Sequence, residues 1–438
     1  MQRVIISVIG LGKLGLPLAL LYAKEGYSVI GYDVLSSSIE SLRSGKAPIA
    51  EKGIERILSE NKKNVSFTTE VEDVAKSDMT FVVVPTPSKT DGSFSSTHIE
   101  EVLRALSPSL KKKKGRHIIV ITSTVSPGTM EAKIKPLIER LTKKKIGADI
   151  GLCYSPELIA LGSVIHDMQH PDLIFIGESD TKTGNQVSKI RKSICKNSPP
   201  IIQTNWINAE LVKLSLNAYI TSKISYANMV ARICERTPHA DSRVVLQTMG
   251  LDSRIGTKYL KGGLGYGGPC FPRDTRSLSA AIKEVGLNIQ LPQATHDFNQ
   301  SQTQYLFDVV QRYIKKNDRV GILGLGYKQG TDVIDESQGM MLLKLMVSRS
   351  IYTIAFDPLA MQNAKKNVPT ARFAKSMEEC ISKSDIVILT TPWDDFKHIQ
   401  WQEYKRKTII DCWQIVDLAK QNIIQNTFIQ LGKYLPSP

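Results

Sequence analysis

The apolar run VIISVIG (residues 4–10) leads directly into GLGKLG (10–15) and then LPLALLYAKEG, whose apolar positions recur at helical spacing. YSVIGYD follows with the density of a strand, so the first 33 residues predict a β-α-β unit. MTFVVVPTP and HIIVITSTV predict two more buried strands. SPGTMEAKIKPLIERL, after the second of these, predicts a helix starting at Ser126 and Pro127. From 205 to 236, NWINAELVKLSLNAYITSKISYANMVARICER contains neither Gly nor Pro and predicts one long helix, with helical pattern continuing to about residue 300. At Arg319 a second strand and turn series opens with RVGILGLGYKQGTD. Two pairs of segments repeat: SDMTFVVVPTP (77–87) with SDIVILTTPW (384–393), and VIGYDV (29–34) with TIAFDP (353–358).

This pattern predicts the α/β class, with two Rossmann-like doubly wound domains joined by a central helical domain that contains the long helix. The expected boundaries are 1–202, 203–302 and 303–438. A chain of 438 residues exceeds what one core organises, which agrees with several domains. No apolar run approaches the length of a membrane span, so no membrane partner is expected. The first strand pattern starts within a few residues of Met1, which leaves no room for a cleavable signal peptide and makes the cytoplasm the expected compartment. The net charge of +15 changes the picture little. Its lysines stand in runs such as KKKK (111–114) and KKK (143–145) without interleaved aromatics, which suits solvated loops and an anionic small ligand rather than nucleic acid. The six cysteines, at 153, 195, 234, 270, 380 and 412, show no CxxC pair and no metal-type cluster, so no metal is expected.

Gly10, Gly12 and Gly15 form G-x-G-x-x-G between strand and helix, and Asp33 closes the next strand 18 residues after the last glycine. Glycines there let a pyrophosphate approach the helix N-terminus, and the carboxylate accepts the ribose hydroxyls. An acid at that place repels a 2′-phosphate, so NAD is expected rather than NADP. A tight turn beside a surface acid is the bland alternative. Gly324 and Gly326 lack the tight helical continuation and an acid at the usual distance, so no second dinucleotide site is expected. Lys328, just beyond, either meets phosphates or is solvated. Lys213 and Asn217 are four apart on the long helix and share a face within reach of one ligand. Glu157, in YSPELIALG, follows a strand at the expected ligand edge of the sheet. Gly262, Gly263, Gly265, Gly267 and Gly268 predict a backbone able to wrap a ligand. Behind them Cys270 and Asp274 stand one helical turn apart, and Cys270 near a helix start suits a nucleophile better than a core filler. The other five cysteines read as small core residues.

The segments GLGKLGLPLA, TSTVSPGT, SPELIALG, NAELVKLSLNAY, LDSRIGTKYLKGGLGYGGPCFPRD and GLGYKQGTD together resemble the nucleotide-sugar 6-dehydrogenases, the UDP-glucose/GDP-mannose dehydrogenase family, over nearly the whole chain. The resemblance implies oxidation of a C6 alcohol to the acid in two NAD-dependent steps through a Cys270 thiohemiacetal and thioester. UDP-glucose is the expected nucleotide-sugar substrate, with UDP-N-acetylhexosamine, GDP-mannose and TDP-glucose as alternatives. By matching positions, Lys213 and Asn217 would stabilise oxyanions, Asp274 would support general-base chemistry, Glu157 would assist thioester hydrolysis, and Thr124 would hold water or substrate. Gly10, Gly12, Leu14, Gly15, Asp33, Thr86 and Thr124 would bind NAD. Glu157, Lys213, Asn217, Arg254, Tyr259, Lys261, Gly267 and Lys328 would bind the nucleotide sugar, with Arg254 reaching across a homodimer.

Leu161, Asp335, Trp413 and Gln414 depart from the family pattern: relatives often place Glu at the first of these and Arg at the second, and many have an Arg in the Trp413–Gln414 stretch. The β-hydroxyacid dehydrogenases share a similar opening and a Lys-x-x-x-Asn pair, but they need no thiol and lack a third domain. An NAD-responsive binding protein would not need Lys213 and Cys270.

Overall fold

The computed structural model describes residues 4–420 and 425–435, which divide into two compact units, Met1–Ser215 and Leu216–Pro438. In the first unit the strands are β1 Ile5–Ile9, β2 Ser28–Tyr32, β3 Val65–Thr68, β4 Met79–Val82, β5 His117–Ile121, β6 Ile150–Tyr154, β7 Ile174–Glu178 and β8 Ile201–Thr204. They form one sheet in the order β3-β2-β1-β4-β5-β6-β7-β8, parallel throughout except between β6 and β7. Strands buried on both faces need continuous apolar runs, and β4, β5 and β6 are buried at every position. One core lies on each face: Leu16, Leu20, Tyr22 and Phe81 belong to the first, and Ile99, Leu106, Ile138 and Trp206 to the second.

Three polar positions inside this sheet are linked to one another. Ser7 Oγ and Thr80 Oγ1 lie 2.7 Å apart, and Thr80 Oγ1 lies 2.9 Å from His117 Nε2, which stitches β1, β4 and β5 together below the apolar layers.

The second unit repeats the plan. Its strands are β9 Val320–Leu323, β10 Thr353–Phe356, β11 Arg372–Phe373, β12 Ile386–Leu389, β13 Thr408–Asp411 and β14 Thr427–Gln430. Their order is β11-β10-β9-β12-β13-β14, and every pairing is parallel. That is the strand order of the first six strands of the other sheet, and the repeated segments of the sequence fall on β2 with β10 and on β4 with β12.

The long helix is Trp206–Glu235, and the division between the units falls within it, after Ser215. Three more helices of the second unit follow: Ser242–Leu251, Phe271–Glu284 and Leu291–Gln311. The helix expected to start at Ser126 starts later, with a π-helical turn Met130–Ile134 that continues as Lys135–Thr142. Gly128 has φ +84°, outside the helical region, and a carboxylate rather than a preceding turn receives the first amides. That carboxylate belongs to Glu210. Among the described residues, no helix is long and apolar enough to cross a membrane.

Candidate active site

In the first unit the residues expected to meet a dinucleotide lie beyond the carboxyl ends of β1, β2, β4 and β5, around the point where the strand order reverses. A Cβ on Gly10 would lie 2.3 Å from Val83 O, and one on Gly15 would lie 1.8 Å from Gly10 O, so both positions require glycine for packing. Gly12 differs: nothing lies within 4 Å of where its Cβ would be, which leaves an open cradle above the helix Gly15–Lys24. Leu14 is the N-cap of that helix. Asp33 Oδ2 accepts the Leu11 N–H at 2.7 Å and Oδ1 accepts that of Leu35 at 3.0 Å, so each oxygen keeps a lone pair for a ligand hydroxyl. Beside it Val34 and Leu35 are 72% and 58% exposed, an apolar shelf suited to a nucleobase. Thr86 is buried and Thr124 half-buried. Between their segments, Ser123 Oγ accepts the Val84 N–H at 2.9 Å and donates to Val84 O at 2.6 Å. The residues present fit a dinucleotide with a ribose diol.

Lys213 is buried, and its Nζ donates to Glu157 O at 2.8 Å, which leaves two ammonium hydrogens for other partners. Both oxygens of the Glu157 carboxylate are engaged by Arg191, Oε2 with Nη2 at 2.7 Å and Oε1 with Nη1, and both side chains are buried. Sequence reasoning expected Glu157 to assist thioester hydrolysis; here its carboxylate is engaged by Arg191. A carboxylate locked to a guanidinium by two parallel bonds orients that guanidinium, and only its backbone carbonyl serves Lys213. The sequence carried no spacing signal for Arg191. Glu210, also not singled out by sequence reasoning, lies on the long helix three residues before Lys213; it accepts the Gly128 N–H at 2.6 Å and the Met130 N–H at 2.8 Å. Its signal was there to see, as an acid on the same helical face as Lys213 and Asn217.

In the second unit Cys270 is exposed at the N-cap of the helix Phe271–Glu284, where backbone amides favour a negative sulfur. Asp274, in the first turn, is buried, and its Oδ2 accepts Asn217 Nδ2 at 2.5 Å. The glycines before the cysteine do not form the open wrap expected of them. A Cβ on Gly262 would lie 2.7 Å from Ala231 Cβ, one on Gly263 2.5 Å from the Trp413 ring, one on Gly265 2.5 Å from Asn299 Oδ1, and one on Gly267 2.4 Å from Glu336 O. They are small because the strap is pressed against its own unit. Tyr259 has φ +61°, is about half exposed, and sets its ring edge-to-face with Phe271, 6.2 Å between centroids. Lys261 has its pKa lowered by desolvation, with Asp411 opposing. Lys328 is half-buried beyond Gly326. Arg254 is strongly exposed and pairs with Asp252 of its own loop, Nη2 to Oδ2 at 2.7 Å.

The second glycine set does have its acid, contrary to the sequence reading. Asp357 closes β10 as Asp33 closes β2, and Gly339, whose Cβ would lie 2.2 Å from Gly324 O, stands where Gly15 does. An insertion of about ten residues after Gly326 moves both along the chain and hid them from spacing rules. The groove is nevertheless closed. Asp357 is fully buried; Oδ2 accepts Leu325 N at 2.7 Å and Gly326 N at 3.0 Å, and Oδ1 accepts Leu359 N and Ala360 N, both at 2.8 Å. A Cβ on Gly326 would lie 3.0 Å from the carbonyl oxygens of both Lys328 and Thr331, so the inserted loop occupies the space that stays open at Gly12.

Three family models match successive parts of the chain: the NAD binding domain of the UDP-glucose/GDP-mannose dehydrogenase family over residues 4–195, its central domain over 207–301 and its UDP binding domain over 321–418. This chain belongs to the UDP-glucose/GDP-mannose dehydrogenase family. It is 32% identical to the UDP-glucose 6-dehydrogenase of Haloferax volcanii over 417 residues, covering 94% of this chain and 97% of that one. It is 30% identical to the GDP-mannose 6-dehydrogenase of Pseudomonas aeruginosa, covering 88% and 90%. The UDP-glucose dehydrogenase structure from Pyrobaculum islandicum superposes with a TM-score of 0.89 at 29% identity, covering 99% of this chain and 98% of that one.

As in the rest of this NAD-dependent family, the coenzyme is NAD, and the open cradle at Gly12 beside Asp33 suits it. The departures from the family pattern have structural places here. Leu161 packs against the first core, Asp335 gives only its carbonyl to Gly268 N at 2.8 Å, and the Trp413 indole donates to Thr390 O at 3.0 Å while its ring covers Gly263. Gln414, at φ +52°, donates to Leu431 O at 2.9 Å.

Proposed function

We propose that this enzyme oxidises the C6 alcohol of a nucleotide sugar, UDP-glucose in the first place, to the uronic acid in two successive steps. The observation that carries the reading is Cys270, exposed at a helix N-terminus one turn before a buried Asp274 that Asn217 holds. A single oxidation ends at an aldehyde and needs no sulfur. Bound NAD supplies the two-electron acceptor for each oxidation, held at Gly10, Gly12, Leu14, Gly15, Asp33 and Thr86. At the aldehyde stage Cys270 Sγ forms a bond to C6 as the carbonyl electron pair moves to oxygen, which takes a proton to give the thiohemiacetal. After the second oxidation C6 is a thioester. Water adds to it, the C–S bond breaks, and the thiolate leaves a carboxylate behind.

Lys213 and Asn217 supply donors for the oxygen on C6, Asp274 takes protons, and Thr124 holds the alcohol or the water. Glu157 positions Lys213 through its carbonyl. Arg254, Tyr259, Lys261, Gly267 and Lys328 hold the nucleotide sugar. A homodimer completes the proposal. Tyr219, Tyr226, Met229 and Ile233 are exposed on the long helix at spacings of seven, three and four, a stripe suited to a second copy, with Arg254 serving the partner's sugar.

The test is a panel of UDP, GDP and TDP sugars with NADH and acid both measured. About two NADH per sugar oxidised are expected, with one acid formed, since four electrons leave the carbon and each NAD takes two. A ratio near one per sugar, with free aldehyde in place of the acid, would overturn the cysteine route. Mixing Arg254→Ala with Cys270→Ser chains should restore about a quarter of wild-type activity if sites are shared.

A further inference from the structure

The inserted loop after Gly326 closes a groove, and it also grips the chain on both sides of the cysteine. Ahead of Cys270, Gly268 N donates to Asp335 O at 2.8 Å, the Glu336 carbonyl lies where a Cβ on Gly267 would collide at 2.4 Å, and the Tyr327 ring lies 2.6 Å from where a Cβ on Gly268 would be. Behind it, Arg276 on the cysteine's own helix donates through Nη2 to Glu336 Oε1 at 3.2 Å. The other carboxylate oxygen, Oε2, accepts Gln300 Nε2 at 3.1 Å from the helix Leu291–Gln311. Glu336 makes these contacts from a left-handed backbone, φ +45°, a conformation that persists in a non-glycine residue only where its surroundings over-determine it.

We propose that Glu336 is a positioning residue for Cys270: with its carbonyl against the glycine strap and its carboxylate on Arg276 and Gln300, it fixes the sulfur at the helix N-terminus. The loop that closed a dinucleotide groove in the second unit has thereby become the seat of the nucleophile. A loop that only filled the groove would need neither the carboxylate nor the strained backbone, because the carbonyls of Lys328 and Thr331 already occupy the space. The inference rests on the sulfur chemistry proposed above, but its first readout does not need a substrate.

The experiment uses the full chain with Glu336→Gln, which keeps size but loses the charge and one acceptor, and Glu336→Gly, which suits the left-handed backbone and removes the side chain. Alkylation by iodoacetamide is followed on the Cys270 and Cys195 peptides by mass spectrometry, alongside kcat and KM. In both variants the Cys270 alkylation rate should fall at least about threefold, with the Cys195 rate unchanged, because the segment that carries the sulfur at the helix N-cap is no longer held in place. The kcat should fall about tenfold while KM for NAD stays within about twofold, as expected for a misplaced reacting group rather than lost binding. Arg276→Gln should reproduce the alkylation change. Unchanged alkylation and kcat in both Glu336 variants would overturn the proposal, as would a rise at the Cys270 and Cys195 peptides together, which would mark general loosening. A wild type inactive on every nucleotide sugar would remove the proposed function and leave the alkylation result to decide this one.

Discussion

Asn217 Nδ2 lies 2.5 Å from Asp274 Oδ2, joining the long helix to the cysteine helix, with both side chains buried. A buried carboxylate that loses a donor keeps its desolvation penalty without compensation. Asn217→Leu is therefore expected to lower kcat by about a hundredfold or more, the scale for removing one oxyanion donor, and to lower the melting temperature as well. Kinetics and thermal unfolding on the same preparation check both. A variant with wild-type kcat would remove Asn217 from the chemistry.

Asp33 is expected to set the coenzyme preference, because its two oxygens are only half used by the Leu11 and Leu35 amides. Asp33→Asn should weaken NAD by about tenfold or more, as loss of a charge-assisted bond implies. It should also narrow the gap to NADP, since the charge that repels a 2′-phosphate is gone. Comparison of kcat/KM for the two coenzymes measures this. Equal values in the wild type would contradict the role given to Asp33.

The pairing of Glu157 with Arg191 separates two accounts of hydrolysis. If the carboxylate serves Arg191, Glu157→Gln leaves a buried guanidinium short of its partner and destabilises the first unit by about 3–5 kcal/mol, with no covalent intermediate accumulating. Intact-mass measurement during turnover with substrate and NAD decides. A long-lived adduct on Cys270 would return Glu157 to the hydrolytic role that its family position suggests.

His117 makes the first unit acid-sensitive. Burial, with Lys113 adding to it, lowers its pKa from 6.5 to about 3. Between those values the unfolded chain binds a proton that the folded one does not, so stability present above pH 6.5 is lost as pH falls toward 3, by about 1.4 kcal/mol per unit. Wild type should lose about 2 kcal/mol between pH 7 and pH 5 from this group, and His117→Asn should lose that slope. Denaturant titrations at the two pH values test it.

The architecture was legible because parallel strands leave unbroken apolar runs and the first turn keeps its glycine spacing intact, so β1, β2 and Asp33 could be placed by counting. The long helix, expected at 205–236, was plain from the absence of Gly and Pro. What escaped depended on contacts between distant segments. Asp357 was hidden by an insertion that shifts it from its glycines, although the VIGYDV and TIAFDP repeat already paired it with Asp33. Arg191 meets Glu157 from 34 residues away with nothing periodic to announce it. The glycines before Cys270 gave flexibility as the natural reading, and only Trp413, Asn299 and Glu336 pressed against them reveal that small size is what they provide.

Because the two sheets repeat one strand order and each packs against hydrophobic clusters of its own, the chain holds two separate modules. The glycines and Asp33 lie wholly in one, and Trp413, Gln414 and the inserted loop wholly in the other. A substitution at Trp413, Gln414 or in the inserted loop therefore alters a module that carries neither those glycines nor Asp33, so the two can vary separately along a lineage.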